Sequence, residues 1–399
     1  MNLVPLNIDT IQIGQPLPFM LRGTDGVLLA SRGYVIGSRE ELDSLVARGR
    51  QLCVDVDESG DSHRAYLAQL QKMLMADTSL GELAAVKIPV AHRDREREER
   101  QSLDWPALQL HATRLLRAPD EGDFLLRLEH LHEELVRRCT QAPDATLLAL
   151  VYLSTQETRM YSATHAMLVS CACMLAARSV LRWPEVRVLQ VGRVALSMNI
   201  GMTELQDQLA QQAQPLTSRQ IASIQHHAAR SEAVLHSLGV QDADWLEAVR
   251  CHHDRSPGPL ADRSPAQQMA RLVQRADVFA ARLAPRANRW PMPATAAMQA
   301  SYYDEERKVD EAGAALVKAL GVYPPGSFVR LITQEVAVVL RRGASATTPR
   351  VAVVMNRQGM ATGEFIPRDT ALSQWKIASV VALKDVRVNL SLERLLAML

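Results

Sequence analysis

The spacing of hydrophobic and polar residues changes twice along this chain. In the first 56 residues, short strand-like stretches cover 11–21, 27–36 and 51–56, and turn residues rich in Asp and Gly separate the first two. A helix is predicted over 40–48, where Ser38 provides the expected cap. This part of the chain is therefore predicted to be a small β-rich module with one helix.

A helical period governs the middle of the chain, to about residue 320. Proline in Trp183-Pro184 ends one long stretch, Thr217 caps a later one, and Gly239 ends it. The stretch 145–182 is long enough for one helix or two. The amphipathic stretches that we predict to be helices are 124–138, 145–182, 186–197, 218–238, 244–253 and 266–283.

The period changes from helix-like to strand-like after Pro324-Pro325-Gly326. A terminal helix is predicted over 390–399. The β-branched stretches that we predict to be strands are 327–333, 335–341, 350–355 and 377–382.

The region between the first module and the helical middle is poorly patterned. Residues 63–75 are helix-like, and the mixed-charge run 92–100 is typical of a solvated helix or linker. The predicted domains are a β-rich module at 1–60, a helical and charged linker at 61–120, a helical domain at 121–323 and a β-rich lobe at 324–399.

The amino-acid composition argues against several classes of binding partner. A formal net charge of +1 gives the chain no global field to attract nucleic acid or an anionic membrane. The 4% of aromatic residues argues against a base-stacking surface. The first residues lack a signal-peptide pattern, no apolar run reaches the length of a membrane span, and the five cysteines form no CxxC pair. We therefore predict a cytoplasmic protein with reduced cysteines that does not bind nucleic acid or span a membrane.

Histidine and aspartate recur along the central helices. His165 begins the series, His227 and the pair His252-His253 follow, and Asp277 ends it. Such ligands, spread over several helices, are how an all-helical protein builds a metal site in its core. A single histidine on a helix is more often a hydrogen-bonded core residue, so the metal hypothesis depends on these helices converging.

Four segments with these residues resemble those of a known family. They are Tyr161-Ser162-Ala163-Thr164-His165, Ile224-Gln225-His226-His227, His252-His253-Asp254-Arg255 and Ala276-Asp277-Val278-Phe279. In order and spacing, over about residues 140–340, they resemble the HD-GYP family of bacterial metal-dependent phosphodiesterases that cleave cyclic di-GMP.

The resemblance implies a fold and a set of roles. The fold would be multidomain, with an all-α HD-type helical core flanked by a small N-terminal β-rich module and a C-terminal β-rich extension. The metal ligands would be His165, His227, His252, His253 and Asp277. Arg286, near the position of a family arginine that contacts ligand phosphate, and Asp254 would bind the ligand. An arginine on the surface without any ligand would look the same.

The departures from the family concern its His-Asp dyad. The dyad and the lysine that follows fall on Met198, Asn199 and Met202, and the loop after Asp254 has no tyrosine. Asn cannot neutralise a dication or bridge two ions as a carboxylate does, and Met is a soft ligand unsuited to Mn²⁺. No catalytic residue is therefore predicted at these positions, and the cofactor would be none or a single divalent metal, Fe or Mn.

Three functions follow from these residues. The chain would be a catalytically degenerate HD-GYP-like protein in bacterial signalling, acting as a cyclic di-GMP receptor or as a scaffold for signalling proteins, with a homodimer as one arrangement. The alternative is an active metal-dependent cyclic di-GMP phosphodiesterase with an atypical site. A third possibility is a purely structural interaction module whose pocket has collapsed around Met198.

Overall fold

A computed structural model describes the protein. It covers residues 3–6, 11, 13–14, 17, 20–24, 26–30, 34–49, 51–55, and 104–399 except 157, 288 and 389. The predicted helix at 63–75 and the charged run at 92–100 lie outside the described residues. The chain divides into two compact units, Met1–Ser102 and Leu103–Leu399. The domain boundaries at 60, 120 and 323 stay predictions.

The described part of the first unit contains a four-stranded antiparallel sheet and a helix. Helix α1, Arg39–Gly49, begins where Ser38 Oγ accepts a hydrogen bond from Glu41 N at 3.2 Å, so the predicted helix and its cap are confirmed. The sheet order is β1-β4-β2-β3, and its strands are β1 Leu3–Pro5, β2 Leu21–Arg22, β3 Leu28–Ala30 and β4 Cys53–Asp55.

The predicted strands at 11–21 and 27–36 are wrong in extent, since among the residues described there the strands are β2 and β3 alone. Residues 13–14 form a turn in which Gly14 has a φ of +83° and donates its N–H to the Ile36 carbonyl at 2.8 Å. A residue in this conformation does not continue a strand. Apolar residues of this stretch, such as Leu17, are nevertheless buried, but they lie in loops rather than in strands.

Helix α5, Tyr161–Ser179, lies at the centre of the second unit. Every residue from Tyr161 to Ala177 is buried, and a helix that is buried all round is covered by other elements on all sides. The helices of this unit are α2 Trp105–Arg117, α3 Phe124–Gln141, α4 Pro143–Gln156, α5 Tyr161–Ser179, α6 Glu185–Ser197, α7 Thr203–Gln211, α8 Ser218–Gln225, α9 His227–Ser237, α10 Ala243–Cys251, α11 Pro265–Leu283, α12 Ala294–Tyr302, α13 Glu311–Leu320 and α14 Leu392–Leu396.

The structure corrects the predicted helices at several points. The stretch 145–182 is two helices, α4 and α5. The stretch 218–238, predicted as one helix, is broken at His226 into α8 and α9. Helix α8 buries none of its residues, whereas α9 buries Ser231 and Leu235, so the two helices differ in burial on either side of the break. Helix α2 was not predicted, and its apolar face joins the core of this unit.

The carboxyl-terminal sheet has five antiparallel strands in the order β8-β7-β6-β5-β9. One face packs Val338 and Val354 against Leu148 of α4, and the other buries Val339 and Val353. Strand β8 was not predicted because it is largely exposed and lacks an apolar pattern. The strands are β5 Phe328–Leu331, β6 Val336–Arg341, β7 Arg350–Met355, β8 Ala361–Asp369 and β9 Ile377–Val381.

The predicted fold class is confirmed by this architecture. A helical core is accompanied by a small amino-terminal sheet and a carboxyl-terminal sheet. Among the helices that the structure describes, none combines the length and apolar character needed to cross a bilayer.

Candidate metal centre

The helix that carries His165 is fixed at its start by a residue of another helix. Helix α5 has no side-chain cap of its own. Instead, Asp207 of α7 accepts hydrogen bonds from Ser162 N at 2.7 Å and from Ser162 Oγ at 3.0 Å, and Arg117 Nη2 lies 2.7 Å from its carboxylate. A carboxylate at a helix N-terminus satisfies free N–H groups and complements the helix dipole. Asp207 therefore fixes the position of His165, one turn further along.

His165 is buried and pairs with Asp277 of α11. Nε2 of His165 lies 2.8 Å from Oδ1 of Asp277. Burial alone would raise the pKa of Asp277, but the hydrogen bond to His165 and the electrostatic influence of the neighbouring histidines outweigh it and hold that pKa well below its ordinary range. An ionised carboxylate can only accept a hydrogen bond, so Nε2 of His165 carries the proton in this pair.

Three further imidazoles meet where α8 and α10 end. Nε2 of His227 lies 3.2 Å from Nε2 of His252 and 3.2 Å from Nε2 of His253. His227 and His252 are buried, whereas His253 is exposed. One ligand nitrogen from each of the three lies within 4.8 Å of the others, and we call this group the histidine triad.

The helix ends decide which nitrogen carries the proton in two of these rings. Nδ1 of His227 lies 2.6 Å from the Ile224 carbonyl, and Nδ1 of His252 lies 2.6 Å from the Val249 carbonyl. Both carbonyls belong to the last turn of a helix, where they lack a partner within the helix. Because a carbonyl oxygen can only accept, both Nδ1 atoms carry hydrogen, and Nε2 of each neutral ring is a bare lone pair.

His252 is held in its neutral form. Burial, followed by the electrostatic influence of His253, lowers the pKa of His252 to about 3. Burial also lowers the pKa of His253. At neutral pH His252 is therefore uncharged and presents its Nε2 lone pair towards His227, at the 3.2 Å distance given above.

The triad fits a bound divalent cation. Converging lone pairs repel one another unless a cation or a proton lies between them. Metal-binding histidines commonly donate their other N–H to a backbone carbonyl, as His227 and His252 do here. Bonds of about 2.1 Å to one ion place two ligand nitrogens roughly 3.0–3.4 Å apart. The two separations of 3.2 Å, both from Nε2 of His227, lie within this range.

The dyad positions follow the end of α6 and differ in character from the triad. Met198 is 1% exposed and belongs to the hydrophobic core, while Asn199 and Met202 are partly exposed. Gly201 donates its N–H to Ser231 Oγ at 3.0 Å, and a Cβ at this position would lie 2.8 Å from Ser231 N. This glycine therefore allows the segment to pack closely on α9, although the preceding pair carries no ionisable group.

The two predicted ligand-binding residues lie at different places. Asp254 follows the triad, and its Oδ1 accepts hydrogen bonds from Ser256 N at 2.9 Å and Ser256 Oγ at 2.6 Å, which lower its pKa. Arg286 is near the start of α5, where its Nη2 lies 3.3 Å from the hydroxyl of Tyr161. The Tyr161 ring stacks on His165 with centroids 5.5 Å apart. Arg286 therefore adjoins the His165 end of the site.

Sequence reasoning missed three residues that organise this region. Tyr161 lies one turn before His165, and Gln274 lies one turn before Asp277. A spacing of one helical turn from a predicted site residue is therefore the sequence signal that could have identified both. Asp207 had no local signal, because its contact with Ser162 spans 45 positions of the chain.

Comparison with known proteins gives one curated relative at the level of sequence. No protein-family model matches the chain. The chain is 28% identical over 228 residues to the cyclic di-GMP phosphodiesterase PA4108 of Pseudomonas aeruginosa. The aligned residues make up 56% of this chain and 54% of that protein, so the chain matches about half the length of this relative. The solved structure of Bd1817, an HDG"Y"P protein from Bdellovibrio bacteriovorus, is 14% identical with a TM-score of 0.42, and the match covers 79% of this chain and 98% of that one. The resemblance to HD-GYP proteins that the four segments indicate is confirmed by the sequence relative.

Proposed function

We propose that this chain is a catalytically degenerate HD-GYP-like protein that binds one divalent cation and acts in cyclic di-GMP-related bacterial signalling. Its histidine triad holds the cation, with His165 and Asp277 beside it. Cyclic di-GMP is the proposed ligand because the sequence relative is a phosphodiesterase for that nucleotide. The protein acts as a receptor, or as a scaffold for a signalling partner.

The observation that carries this proposal is the burial of Met198 in the apolar core at the position of the dyad histidine. Hydrolysis of a phosphodiester at neutral pH requires an activated water, commonly held between two metal ions. A carboxylate can neutralise and bridge two dications, whereas the neighbouring Asn199 is a neutral amide that cannot bridge them in this way. The histidine triad alone supplies nitrogen ligands for one ion, which supports binding rather than turnover.

A cation in the triad would supply positive charge that attracts a phosphate oxygen. The chain's own residues do the remaining work. The Ile224 and Val249 carbonyls hold His227 and His252 with their Nε2 lone pairs directed at each other. Arg286 offers a guanidinium that suits a phosphate, because its donors form a planar fork. Its only hydrogen bond from the guanidinium to a described residue is the 3.3 Å contact with Tyr161.

An active phosphodiesterase with an atypical, mononuclear site is the second candidate. It is favoured by the name of the sequence relative and by the retained triad. Under this alternative, product forms with Mn²⁺ or Fe²⁺ and disappears in the His253→Ala variant.

Calorimetric titration with cyclic di-GMP, with and without Mn²⁺, tests the proposal. Saturable heat that returns to baseline is expected for a receptor. A sustained heat of reaction, with linear dinucleotide as product, would show that the second candidate is right. No heat under either condition would leave the scaffold function, and the partner search would then begin with the two β-rich regions.

The cytoplasmic location and the homodimer belong to the same proposal. Sedimentation of the purified chain at several concentrations tests the homodimer, and fractionation of cells tests the location.

A further inference from the structure

Two buried arginines, the buried carboxylate of Asp310 and the more exposed carboxylate of Glu305 form a polar network beside the histidine triad. Arg271 and Arg275 lie one turn apart on α11 and are 5% and 3% exposed. Arg271 Nε lies 2.8 Å from Asp310, Arg271 Nη2 lies 3.1 Å from Glu305, and Arg275 Nη2 lies 2.6 Å from Glu305. The two positive charges are thus balanced by two negative charges, as buried ions require.

Gln274 occupies the centre of this network. Its Oε1 accepts hydrogen bonds from Arg271 Nη1 at 2.5 Å and from Arg275 Nη2 at 3.1 Å. A guanidinium only donates, so the two arginines determine which way the amide faces. The amide nitrogen Nε2 then donates to the backbone carbonyl of Asp254 at 2.9 Å. Asp254 directly follows His253, so the network ends one peptide unit from the triad.

We propose that Gln274 is a positioning residue for the histidine triad. Its amide, oriented by Arg271 and Arg275, holds the Asp254 carbonyl and thereby fixes the turn in which Nε2 of His253 approaches Nε2 of His227. This inference rests on the proposed cation site, because it concerns the geometry of that site. It adds a residue that does not touch the ion or the ligand.

Apart from the approach of His252 and His253 to His227, the hydrogen bonds that shape this turn are local, which is why the bond from α11 matters. The N–H of Asp254 donates to the Cys251 carbonyl at 2.8 Å, and the Asp254 carboxylate bonds Ser256. These bonds shape the turn but do not fix it relative to α9, where His227 lies. The bond from Gln274 connects the turn to the helix that also carries Asp277.

Two substitutions separate the hydrogen-bond donor from charge and shape. Gln274→Glu keeps oxygens for both arginines but places a carboxylate oxygen against the Asp254 carbonyl. Gln274→Met removes the donor without adding charge. Loss of a residue that orients a metal ligand typically lowers metal affinity 10–100-fold. We expect both variants to weaken Co²⁺ binding by about 10-fold or more, and to change the visible absorption of the bound ion.

The same helix provides a matched control. Gln268 also accepts from an arginine, with Arg187 Nη1 at 3.0 Å, and its Nε2 donates to a backbone carbonyl, that of Arg263, at 3.0 Å. Gln268→Glu therefore removes the same kind of bond from α11 at a carbonyl farther from the triad. We expect its Co²⁺ affinity and absorption spectrum to match those of the wild-type protein.

Two readouts keep the inference separate from the proposed function. The first is Co²⁺ titration followed by absorption, and the second is the NMR shifts of the His253 and His227 ring nitrogens without metal. If the wild-type protein binds Co²⁺ and both Gln274 variants bind it with unchanged affinity and spectrum, Gln274 does not position the triad. If the wild-type protein does not bind Co²⁺, the proposed cation site is wrong. The ring shifts then decide the inference by themselves: a change in the Gln274 variants alone supports it, and unchanged shifts overturn it.

Discussion

The two halves of the site differ in what their side chains can do with charge. In the histidine half, His227 and His252 donate Nδ1–H to helix-end carbonyls and keep their Nε2 lone pairs free to bind a cation. In the dyad half, Met198 is packed in the apolar core and Asn199 is uncharged. The backbone of the dyad half nevertheless packs closely on α9, through the contact of Gly201 with Ser231.

This difference shows that frame and chemistry can change independently. The glycine allows the segment after α6 to pack closely on α9, while the residues at the predicted dyad positions are a thioether and an amide. A thioether in a core contributes dispersion and burial of apolar surface, so Met198 stabilises the fold where a charged dyad would have required a metal. Variants in each half should therefore affect different measured quantities.

The largest effect on cation binding is expected from His227→Ala, which removes a ligand from the histidine half. It removes one ligand and the acceptor that His253 approaches at 3.2 Å, so Co²⁺ affinity should fall at least about 100-fold, or about 2.7 kcal/mol. The matched control is His226→Ala, because His226 is the adjacent histidine and is exposed. Equal affinity for the two variants, measured by Co²⁺ absorption, would remove the triad from consideration as the cation site.

The next effect is on stability, from Met198→Ala in the dyad half. Truncating a buried methionine typically costs about 2–5 kcal/mol of unfolding free energy, and Met198→Leu, which conserves volume, less than about 1.5. Urea denaturation measures both values. Co²⁺ affinity should stay unchanged in each variant, and a loss of affinity in Met198→Leu would mean that this half also contributes to cation binding.

Parts of this arrangement were accessible from the sequence and parts were not. The convergence of His227, His252 and His253 followed from the family resemblance, and the order of β-rich, helical and β-rich regions followed from the change of period along the chain. The break at His226 was missed because the apolar pattern continues across it, although α8 buries none of its residues and α9 buries Ser231 and Leu235. Contacts such as Gln274 with Asp254 depend on side-chain packing between helices, which no local pattern encodes.

A buried histidine outside the site extends the comparison to the dependence of stability on pH. His132 of α3 is 1% exposed, and neither of its ring nitrogens has a hydrogen-bond partner among the described residues. Glu129 lies 3.8 Å from its Nδ1, and Arg193 is close by. Burial, followed by the charge of Arg193, lowers the pKa of His132 to about 4. Unlike the histidines of the triad, His132 does not meet further metal-binding side chains in a group of three among the described residues.

Acid should therefore destabilise the protein through His132. Above pH about 6.5 the ring is neutral in both the folded and the unfolded chain, so it has no effect. As pH falls below that value, the unfolded chain binds a proton that the folded chain does not. The free energy of unfolding therefore falls by about 2 kcal/mol at pH 5, and the decrease levels off near pH 4. His132→Leu should remove this contribution to the difference in unfolding free energy between pH 7 and pH 5, as measured by urea denaturation. Identical slopes for wild type and variant would contradict the burial argument.

The smallest effect is expected from restoring the dyad with Met198→His and Asn199→Asp. The two changes return an imidazole and a carboxylate to the end of α6, and the carboxylate can bridge two ions as Asn199 cannot. We expect bound metal per chain, measured by elemental analysis, to rise above the wild-type value by less than one equivalent, because Met202 still lacks the family's charge and the pocket around Met198 is apolar. Asn199→Asp alone serves as the control, since it adds the carboxylate and leaves the core intact. Metal content in the double variant equal to that of wild type would show that the end of α6 no longer lies where a second ion could bind. The dyad half would then differ from the histidine half in position as well as in chemistry.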